Sequence, residues 1–508
     1  MNSYNLTKQL FTERVRWQAA LLNPNCTFYD LLKIHVESPA EIVYLDTVDS
    51  RGNGNNIANE NYAREIMELF CMGVDNGYDQ YDITVMSRAW TGWSVEIVDP
   101  ENMDNPFAPQ SQRIGFYPGV GSSSVSNLIG VWTFNYKMAN HGTNRAPIWS
   151  EWDTNSPATN PRPIGSAAYP HAGGQSKVVP ARFGPPWAGQ PYRLVIPPGR
   201  TSTVTNGILD GYDITTHIAN LPFTMEYISV KLCRLFVHDN FPNPNTLPGS
   251  AEGAFYDYTN PNRSAEAELV RQCMVAWNTP GLDGRKGNIR QVLNAIFSSD
   301  LFRSHGGSLQ KVKTPVEFAV SAIRALQSTN TSGVPFARTD GYSISGRSRS
   351  ASSSPLTRMG SMMLFDRDAP DGYPETAAPW ISSGTLAERT RFIQTYLMAV
   401  GDANKNDGIS GGNNNVSDPV GLLKAKLPSG SWSDPGAVAD FFLGILFPSE
   451  GAGNLQDFRA LAIDFLNTND NGVGTSSFAS LVNTTPAYDS RVRALVAALM
   501  SSPRFQEQ

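Results

Sequence analysis

The chain has 508 residues, a formal net charge of −6 and 17% charged residues, against about 25% in typical soluble proteins. This length can bury a large core and would ordinarily form more than one domain. The mild acidity, with no Lys/Arg cluster, argues against a nucleic-acid or anionic-membrane partner. No stretch approaches the roughly 18 consecutive apolar residues of a membrane-spanning helix, so the sequence predicts no membrane span.

The N-terminus and the cysteines bear on the cellular compartment. Residues 1–8 lack the basic segment and apolar run of a signal peptide, so none is predicted there. The composition, rich in Asn, Ser, Thr and Gly, is often seen in extracytoplasmic bacterial proteins. The cysteines are isolated in the sequence, which favours buried thiols, although export would allow one or two disulfides. They are Cys26, Cys71, Cys233 and Cys273.

Residues 1–93 are predicted to be mainly helical, and residues 59–72 carry the clearest pattern. At about 100° per residue, charged and amide side chains share one arc and apolar side chains fill the other. Asn59 is the expected N-cap and Gly73 the expected C-terminal stop. The polar arc holds Asn61, Arg64, Glu65 and Glu68, with Arg64 one helical turn from Glu68. It is either a solvated face or a set of partly buried carboxylates directed at a ligand.

A second helix is predicted from Asp79 to Trp93. Its apolar face carries two tryptophans, which implies a large packing surface in the same domain. That face consists of Ile83, Met86, Ala89, Trp90 and Trp93. Arg88 lies on the polar face and could reach the acidic face of the first helix. Residues 59–93 are therefore predicted to form a helical hairpin with complementary charge.

Residues 94–205 differ in character from the helical segment before them. Fifteen of the 35 prolines fall between Pro100 and Pro198, so long helices are not expected there. Strand-like runs occur at residues 131–136 and 192–196. The prediction is a long insertion of loops and short strands, whose aromatic residues argue against disorder. Candidate partner-contacting aromatics are Trp132, Tyr136, Trp149 and Trp187.

The remaining chain is predicted to return to helices. Residues 206–327 form the second part of a helical body, with Pro315 in the first turn of one helix. Residues 328–385 are rich in Ser, Thr and Gly and are expected to be largely loop. Residues 386–508 form a C-terminal helical part of the same body. The predicted fold class is therefore mainly α, with a long insertion rich in Pro, Gly and aromatic residues.

The signature at residues 59–70, followed by Arg88–Trp93, closely resembles that of the bacterial DUF1800 family, whose function is unknown. Further segments resemble later motifs of this family in the same order, with Tyr373 in place of a tryptophan. They are residues 231–237, 311–326, 359–381 and 501–506. The resemblance implies a multi-helix body and an extracytoplasmic location. It also implies association with a sulfatase-like DUF1501 protein and a chain that lacks the family's usual N-terminal region.

Candidate chemistry is sparse. The six histidines are scattered and show no zinc or di-iron spacing. His141 lies near the place where the family usually has a His-Asp pair, but Gly142 follows it. An acid/base role and a surface or hydrogen-bonding role therefore both stay open, the second being favoured.

An Asn/Asp-rich loop at residues 402–413 resembles a calcium loop. Its alternating oxygen ligands would be Asp402, Asn404, Asn406 and Asp407. Gly408 lies one place later than an EF-hand requires, so calcium binding and a solvated turn are both retained.

Two functions follow as alternatives. The favoured one is a binding or assembly protein that contacts a glycan or a protein through the aromatic insertion. Asn59 and Asn61 are further binding candidates. The other is a hydrolase-like enzyme that uses a site on the hairpin, in a cleft beneath the insertion. Its candidate residues are Arg64, Glu65, Glu68, Arg88 and His141.

Overall fold

The protein consists of two compact units, and both are built mainly from helices, which confirms the predicted fold class. The first unit comprises Met1–Phe236 and Asn240–Ser304, and the second comprises Val237–Asp239 and His305–Gln508. The computed structural model describes residues 7–52, 56, 58–111, 114–115, 129–141, 152–153, 162–163, 177–192, 206–247, 249–304, 311–337, 339, 344–345, 354–363, 367, 369–398, 417–448, 450–482 and 484–507. None of the helices in these ranges has the length and apolarity required to cross a bilayer.

The helices of the first unit begin at residues suited to helix starts. Thr27 forms a capping box with Asp30, and Ser38 caps a helix that has Pro39 in its first turn, as predicted. The helices are Thr7–Leu22 (α1), Phe28–Val36 (α2), Pro39–Tyr44 (α3), Asn61–Glu65 (α4), Gln80–Met86 (α5), Leu209–Ala219 (α6), Pro222–Phe236 (α7), Ala251–Phe255 (α8), Ala265–Asn278 (α9), Ile289–Ser298 (α10) and Asp300–Arg303 (α11).

The signature hairpin is helical, but Glu60 and not Asn59 occupies the N-cap position of its first helix, and its second helical segment ends before Trp93. Helix α4 continues into a π-helical segment, Ile66–Cys71, and the chain then turns at Gly73 with a φ of +93°. A Cβ atom on Gly73 would lie 2.7 Å from the ring of Tyr227, so both the turn and the packing require glycine. The apolar face predicted for the second helix is buried. However, Trp93 is buried from a strand and not from that helix, because the helical segment ends at Trp90.

The described part of the insertion begins with a small sheet. Its strands are Trp93–Val98 (β1), Ile114–Gly115 (β2) and Ile129–Tyr136 (β3). Strand β3 pairs antiparallel with β1, with Trp93 opposite Tyr136, and parallel with β2. This arrangement confirms the strand predicted at residues 131–136. A separate hairpin joins Trp152–Asp153 (β4) to Arg162–Pro163 (β5).

Two sets of ion pairs fasten residues 177–192 to the helices of the first unit. Lys177 pairs with Asp79, at 2.7 Å, and with Asp82. The guanidinium of Arg182 makes two parallel hydrogen bonds to the buried carboxylate of Glu226, at 2.6 and 2.8 Å. Two-point contacts of this kind fix orientation as well as distance. This part of the predicted insertion is therefore packed onto the helical body.

The second unit has a single large cluster of buried apolar side chains drawn from most of its helices. Thr314 and Glu317 form a capping box around Pro315, which lies in the first turn as predicted. The helices are Pro315–Ala325 (α12), Pro355–Arg358 (α13), Ser383–Arg391 (α14), Pro419–Lys426 (α15), Pro435–Leu446 (α16), Gln456–Leu466 (α17), Thr485–Ser501 (α18) and Pro503–Gln506 (α19).

All four cysteines are buried free thiols, as favoured from the sequence. Cys233 on α7 and Cys273 on α9 lie within hydrogen-bonding reach of each other, and burial raises the pKa of Cys233. Raised thiol pKa values suppress the thiolate, which is the reactive form.

Candidate functional site

The charged face of the signature hairpin lies near the surface. Arg64 Nη2 donates a hydrogen bond to Gln80 Oε1 at 2.7 Å, and Gln80 Nε2 donates to Glu60 Oε2 at 2.7 Å. Arg64 and Glu60 also form an ion pair at 3.7 Å, with each side chain about one-third exposed. Across the hairpin, Arg64 therefore contacts Gln80, while the side chain of Arg88 is exposed. Pairs this exposed contribute about 0.2–1 kcal/mol, so this face is mainly a solvated one.

The two hairpin carboxylates that were candidates for one site have different neighbours. Glu68 accepts a hydrogen bond from the hydroxyl group of Tyr78, whose pKa is raised by burial and then by the Glu68 charge. Glu65 instead acts on Glu41 of α3 through its charge. The structure thus places Glu65 and Glu68 in separate environments.

Asn59 and Asn61 mark the start of the signature helix. The side chain of Asn59 accepts a hydrogen bond from the Asn61 amide at 2.9 Å, and its own amide donates to Ser50 Oγ at 3.1 Å. Such a turn satisfies backbone donors at the helix start. Asn61 is exposed, whereas Asn59 is tied to the neighbouring loop.

His141 is fully buried together with its acidic partner. Its Nδ1 atom lies 2.8 Å from the carbonyl oxygen of Thr91, and its Nε2 atom lies 3.3 Å from Asp210 Oδ2. Both side chains of the His141–Asp210 pair have no exposed area. The contacts link the turn at Thr91 to the start of helix α6, so His141 is a buried hydrogen-bonding residue and not a surface one. A substrate arriving from solvent does not reach this imidazole in the structure.

The candidate aromatic residues serve mainly as packing groups. Tyr136 and Trp187 are buried, and Trp132 is half-buried. The ring of Tyr136 packs edge-on against Phe107 and His141. Tyr136 and Trp187 therefore pack in the core of the first unit, and contact of these aromatic residues with a partner stays a prediction.

Several predicted residues fall outside the described ranges. These are Trp149 and the candidate calcium ligands Asp402, Asn404, Asn406 and Asp407. In the part of the chain that the structure describes, no group of three or more His, Cys, Asp or Glu side chains could hold a metal ion.

A cleft of about 240 Å³ opens in the first unit, where helices α1 and α2 face the start of the insertion. One wall is polar and carries six side chains from these helices and the following turn: Gln9, Glu13, Arg16, Lys33, Glu37 and Ser38. The rest of the lining, which we call the apolar wall, includes Met103, Pro106, Phe134 and the ring of Tyr212, together with the polar Asp104 and Thr133. Polar and apolar groups that line one cleft can together fix the orientation of a small ligand.

Glu37 organises the polar wall of this cleft. It accepts hydrogen bonds from Arg16 Nη2 at 3.0 Å and from the Tyr212 hydroxyl at 2.7 Å, and Lys33 Nζ lies 3.8 Å away. The Lys33 ammonium also lies 5.3 Å from the centre of the Tyr212 ring. Burial raises the pKa of Tyr212, and the Glu37 charge raises it further, so the phenol stays protonated and donates. These contacts preorganise one half of the wall.

Glu13 lies on the same wall but has a different set of partners. Its Oε2 atom accepts from Ser38 Oγ at 2.6 Å, and its Oε1 atom accepts from Trp17 Nε1 at 3.2 Å. Both donors are neutral. Among the described residues, the negative charge of Glu13 is therefore hydrogen-bonded without a cation in direct contact.

Glu13 belongs to a set of three carboxylates from three helices, Glu13, Glu41 and Glu65, which we call the anionic cluster. Burial raises the pKa of Glu41 to about 7, and the charges of Glu13 and Glu65 act in the same direction. Among the described residues, the Oε2 atom of Glu41 is buried without a hydrogen-bond partner. The hydroxyl group of Tyr62 is likewise buried without one, and burial and the Glu41 charge raise its pKa.

The chain matches the model of a protein family described as "Protein of unknown function (DUF1800)" over residues 5–122 and 191–507. The chain belongs to the DUF1800 family. Neither the curated proteins nor the solved structures contain a match to it. The cleft of this DUF1800 protein draws most of its lining from the first matched segment, while Thr133 and Phe134 come from the interval between the two segments.

Family motifs in the second unit meet at a pair of cations, Lys313 and Arg389, which we call the cationic cluster. Arg389 donates to the Lys313 carbonyl oxygen at 2.8 Å and to Gln506 Oε1 at 3.1 Å. Lys313 donates to the Phe505 carbonyl oxygen at 2.7 Å, and its ammonium lies 4.1 Å from the centre of the Phe505 ring. Burial lowers the pKa of Lys313 to about 8 and that of Arg389 to about 10. The motifs of this DUF1800 protein thus hold its C-terminal residues in place.

The cleft residues of this DUF1800 protein were not identified from the sequence. Glu37 and Tyr212, which hydrogen-bond to each other, are 175 positions apart in the chain. The available signal was the Lys33–Glu37 pair, four residues apart, but such pairs are common on solvated helix faces. Only the tertiary contact with α6 distinguishes this pair from an ordinary surface pair.

Proposed function

We propose that this DUF1800 protein is an extracytoplasmic binding protein that holds one sugar residue of a glycan in the cleft of its first unit. The observation that carries the proposal is the pairing of a preorganised polar wall with an apolar wall. Sugars present hydroxyl groups at their edges and apolar C–H faces, so Glu37 and Arg16 would bind the edge while Phe134 packs on a face.

The size of the cleft supports a small ligand. Its volume of about 240 Å³ lies below the roughly 300–1,000 Å³ of sites for drug-sized molecules. One sugar ring fits this volume, and the rest of a glycan would extend into solvent. The half-exposed side chains of Arg16 and Lys33 would border that exit.

The location and the protein partner belong to the same proposal. The low charge content and the family resemblance support an extracytoplasmic location. A sulfatase-like DUF1501 protein would be the second partner, as the resemblance implies. The cleft would then present a glycan to a partner that acts on it.

A hydrolase is the second candidate, and one observation favours it. Glu41, with a pKa raised to about 7, lies close enough to Glu13 to be influenced by its charge. Two carboxyl groups with different pKa values are the usual acid and base of glycoside hydrolysis. Release of nitrophenol from aryl glycosides, and its loss in Glu41→Gln, would support this function over simple binding.

The test of binding is titration calorimetry with glucose, N-acetylglucosamine and glucosamine. Thr12 lines the cleft, so we expect Thr12→Trp to fill it and to weaken binding at least about tenfold. Ala19→Trp is the matched control, since Ala19 is exposed on the same helix and does not line the cleft. Far-UV circular dichroism checks that both variants fold. Binding of none of the three sugars, or unchanged binding by Thr12→Trp, would contradict the proposal.

A further inference from the structure

We infer that the cleft selects a sugar that carries a free amine, with the ammonium group against Glu13 at the edge of the anionic cluster. The inference rests on the proposed function and names the ligand class of the same cleft. It is carried by the balance of charge along the cleft and by buried polar groups that lack partners.

The charges that line the cleft do not cancel. Three carboxylates, Glu13, Glu37 and Asp104, face two cations, Arg16 and Lys33. Both cations contact Glu37, at 3.0 and 3.8 Å. Because the donors to Glu13 are the neutral Ser38 and Trp17, the wall is divided into a neutralised half and an anionic half. A ligand with a positive charge at one end matches this division.

Further carboxylates behind the anionic half of the wall add to its preference for a positively charged ligand group. Glu41 and Glu65 add two carboxylates from helices α3 and α4, and their charges influence one another. Placing like charges together in a buried region is unfavourable unless a proton or a cation compensates them. In the ligand-free protein Glu41 can take up a proton, whereas a bound ammonium group would let Glu41 ionise.

Two buried side-chain atoms at the cleft and the cluster have no hydrogen-bond partner in the described part of the protein. One is the side-chain nitrogen of Gln9, a residue that lines the cleft and is only 5% exposed. The hydroxyl group of Tyr62, a residue 2% exposed, is close enough to Glu41 and Glu13 for their charges to raise its pKa. Buried polar groups are almost always paired in native proteins, and a sugar in the cleft would bring hydroxyl groups close to the Gln9 side chain.

An amine suits the carboxylate of Glu13 better than the alternatives at the same position of a sugar, while the Gln9 nitrogen, which donates, would pair with a sugar hydroxyl group. An ammonium group offers three donors and a positive charge, and its hydrogen bonds to carboxylates are roughly twice as strong as neutral ones. A hydroxyl group offers one neutral donor. An acetamido group is neutral and larger. Glucosamine, glucose and N-acetylglucosamine differ only at this position and therefore isolate its contribution.

The experiment is titration calorimetry of these three sugars at about pH 6.5, in two buffers that differ in ionisation enthalpy. We expect glucosamine to bind at least about tenfold more tightly than glucose, with release of a proton as Glu41 ionises. Equal affinity for all three sugars would overturn the inference and leave the proposed function standing. Binding of none would overturn the proposed function itself.

A pair of variants tests the position of the ammonium group. We expect Glu13→Gln to lower the affinity for glucosamine at least about tenfold and to change that for glucose less than about twofold. Asp300→Asn is the matched control, because Asp300 is a fully exposed carboxylate of the same unit and lies outside the cleft. An equal loss in both variants would show a general effect of protein charge and would overturn the assignment to Glu13.

Discussion

Each of the two units holds a partly buried group of like charges, and the surroundings of the two groups differ. In the first unit, the Glu41 Oε2 atom of the anionic cluster is buried without a partner among the described residues, and Glu13 of the same cluster lines an open cleft. In the second unit, the Lys313 ammonium and the two terminal nitrogens of Arg389 donate to carbonyl oxygens and to Gln506, while Arg389 Nε is buried without a partner among the described residues. Buried charge alone therefore does not mark a binding site. The two groups differ in that Glu13 of the anionic cluster lines a cleft, whereas Lys313 and Arg389 line neither this cleft nor the groove of the second unit.

The volume of a cavity does not by itself identify a binding site either. The second unit has a groove of about 670 Å³ beside helices α17 and α18, which is larger than the cleft of the first unit. Its lining is mostly apolar, with Phe458, Leu461 and Phe465 on one side. Arg491, the buried cation there, is already bonded to Asp470 at 2.6 Å and to the Leu466 carbonyl oxygen at 2.8 Å. The smaller cleft has more groups that could orient a ligand.

The largest expected change in stability comes from removing the Phe505 ring, against which the Lys313 ammonium of the cationic cluster lies. Phe505 is buried and packs against Phe318 and Phe447, with ring centres 5.9 and 6.3 Å away. We expect Phe505→Ala to lower the free energy of unfolding by about 3–5 kcal/mol, measured by urea denaturation. Leu461→Ala is the control, since Leu461 is 68% exposed and should cost less than about 0.5 kcal/mol. Equal effects of the two variants would contradict the structural role given to Phe505.

The anionic cluster predicts a loss of stability as pH rises. The pKa of Glu41 is raised by burial from 4.5 to about 7 in the folded protein, so between these values the folded state holds a proton that the unfolded state has released. Stability of the first unit should fall by about 2–3 kcal/mol over that window. Hydrogen exchange of peptides from α3 and α4 measures it, and Glu41→Gln should remove the fall. If the stability of Glu41→Gln still falls over this pH window, groups other than Glu41 cause the fall.

The cationic cluster predicts the opposite slope at higher pH. Burial lowers the pKa of Lys313 from 10.5 to about 8, so the unfolded state holds more protons between these values and stability rises with pH. Because Lys313 is partly exposed, the gain is about 1 kcal/mol after allowance for solvent screening. Exchange rates of peptides around residues 311–326 test it, with Lys313→Met as the variant that should show no gain. If the stability of the unmodified protein does not change between these pH values, the half-buried position of the Lys313 ammonium would be contradicted.

The smallest effect is expected at the hairpin face. Gln80→Ala removes the hydrogen bonds to Arg64 and Glu60, yet the free energy of unfolding should change by less than about 0.5 kcal/mol, as measured by thermal denaturation. A loss above about 2 kcal/mol would show that this face is a buried network. It would then restore the hairpin as a candidate site.

Much of the fold was predictable because helical periodicity is a local signal. The apolar faces of residues 59–72 and 79–90 follow from spacing alone, and both are buried. The end of the second helix was not predictable from the sequence. Trp93 pairs with Tyr136, 43 positions away, and Gly92 turns the chain with a φ of +84°. Periodicity cannot distinguish a buried tryptophan on a helix from one on a strand.

The candidate site was less predictable than the fold. The sequence drew attention to Arg64 and Glu68, which the structure places near the surface, and to Glu65, which belongs to the anionic cluster. The other members of that cluster, Glu13 and Glu41, lie on helices with no distinctive motif. Their significance arises from burial and mutual proximity, which are properties of tertiary packing.

The most direct measurement of the central claim is hydrogen–deuterium exchange of the whole protein with and without saturating glucosamine. We expect slower exchange in peptides from α1 and α2 and in residues 129–136, which form the two walls of the cleft, and unchanged exchange throughout α17 and α18. Unchanged exchange in all cleft peptides, or protection confined to the groove of the second unit, would contradict the assignment of the cleft as the binding site.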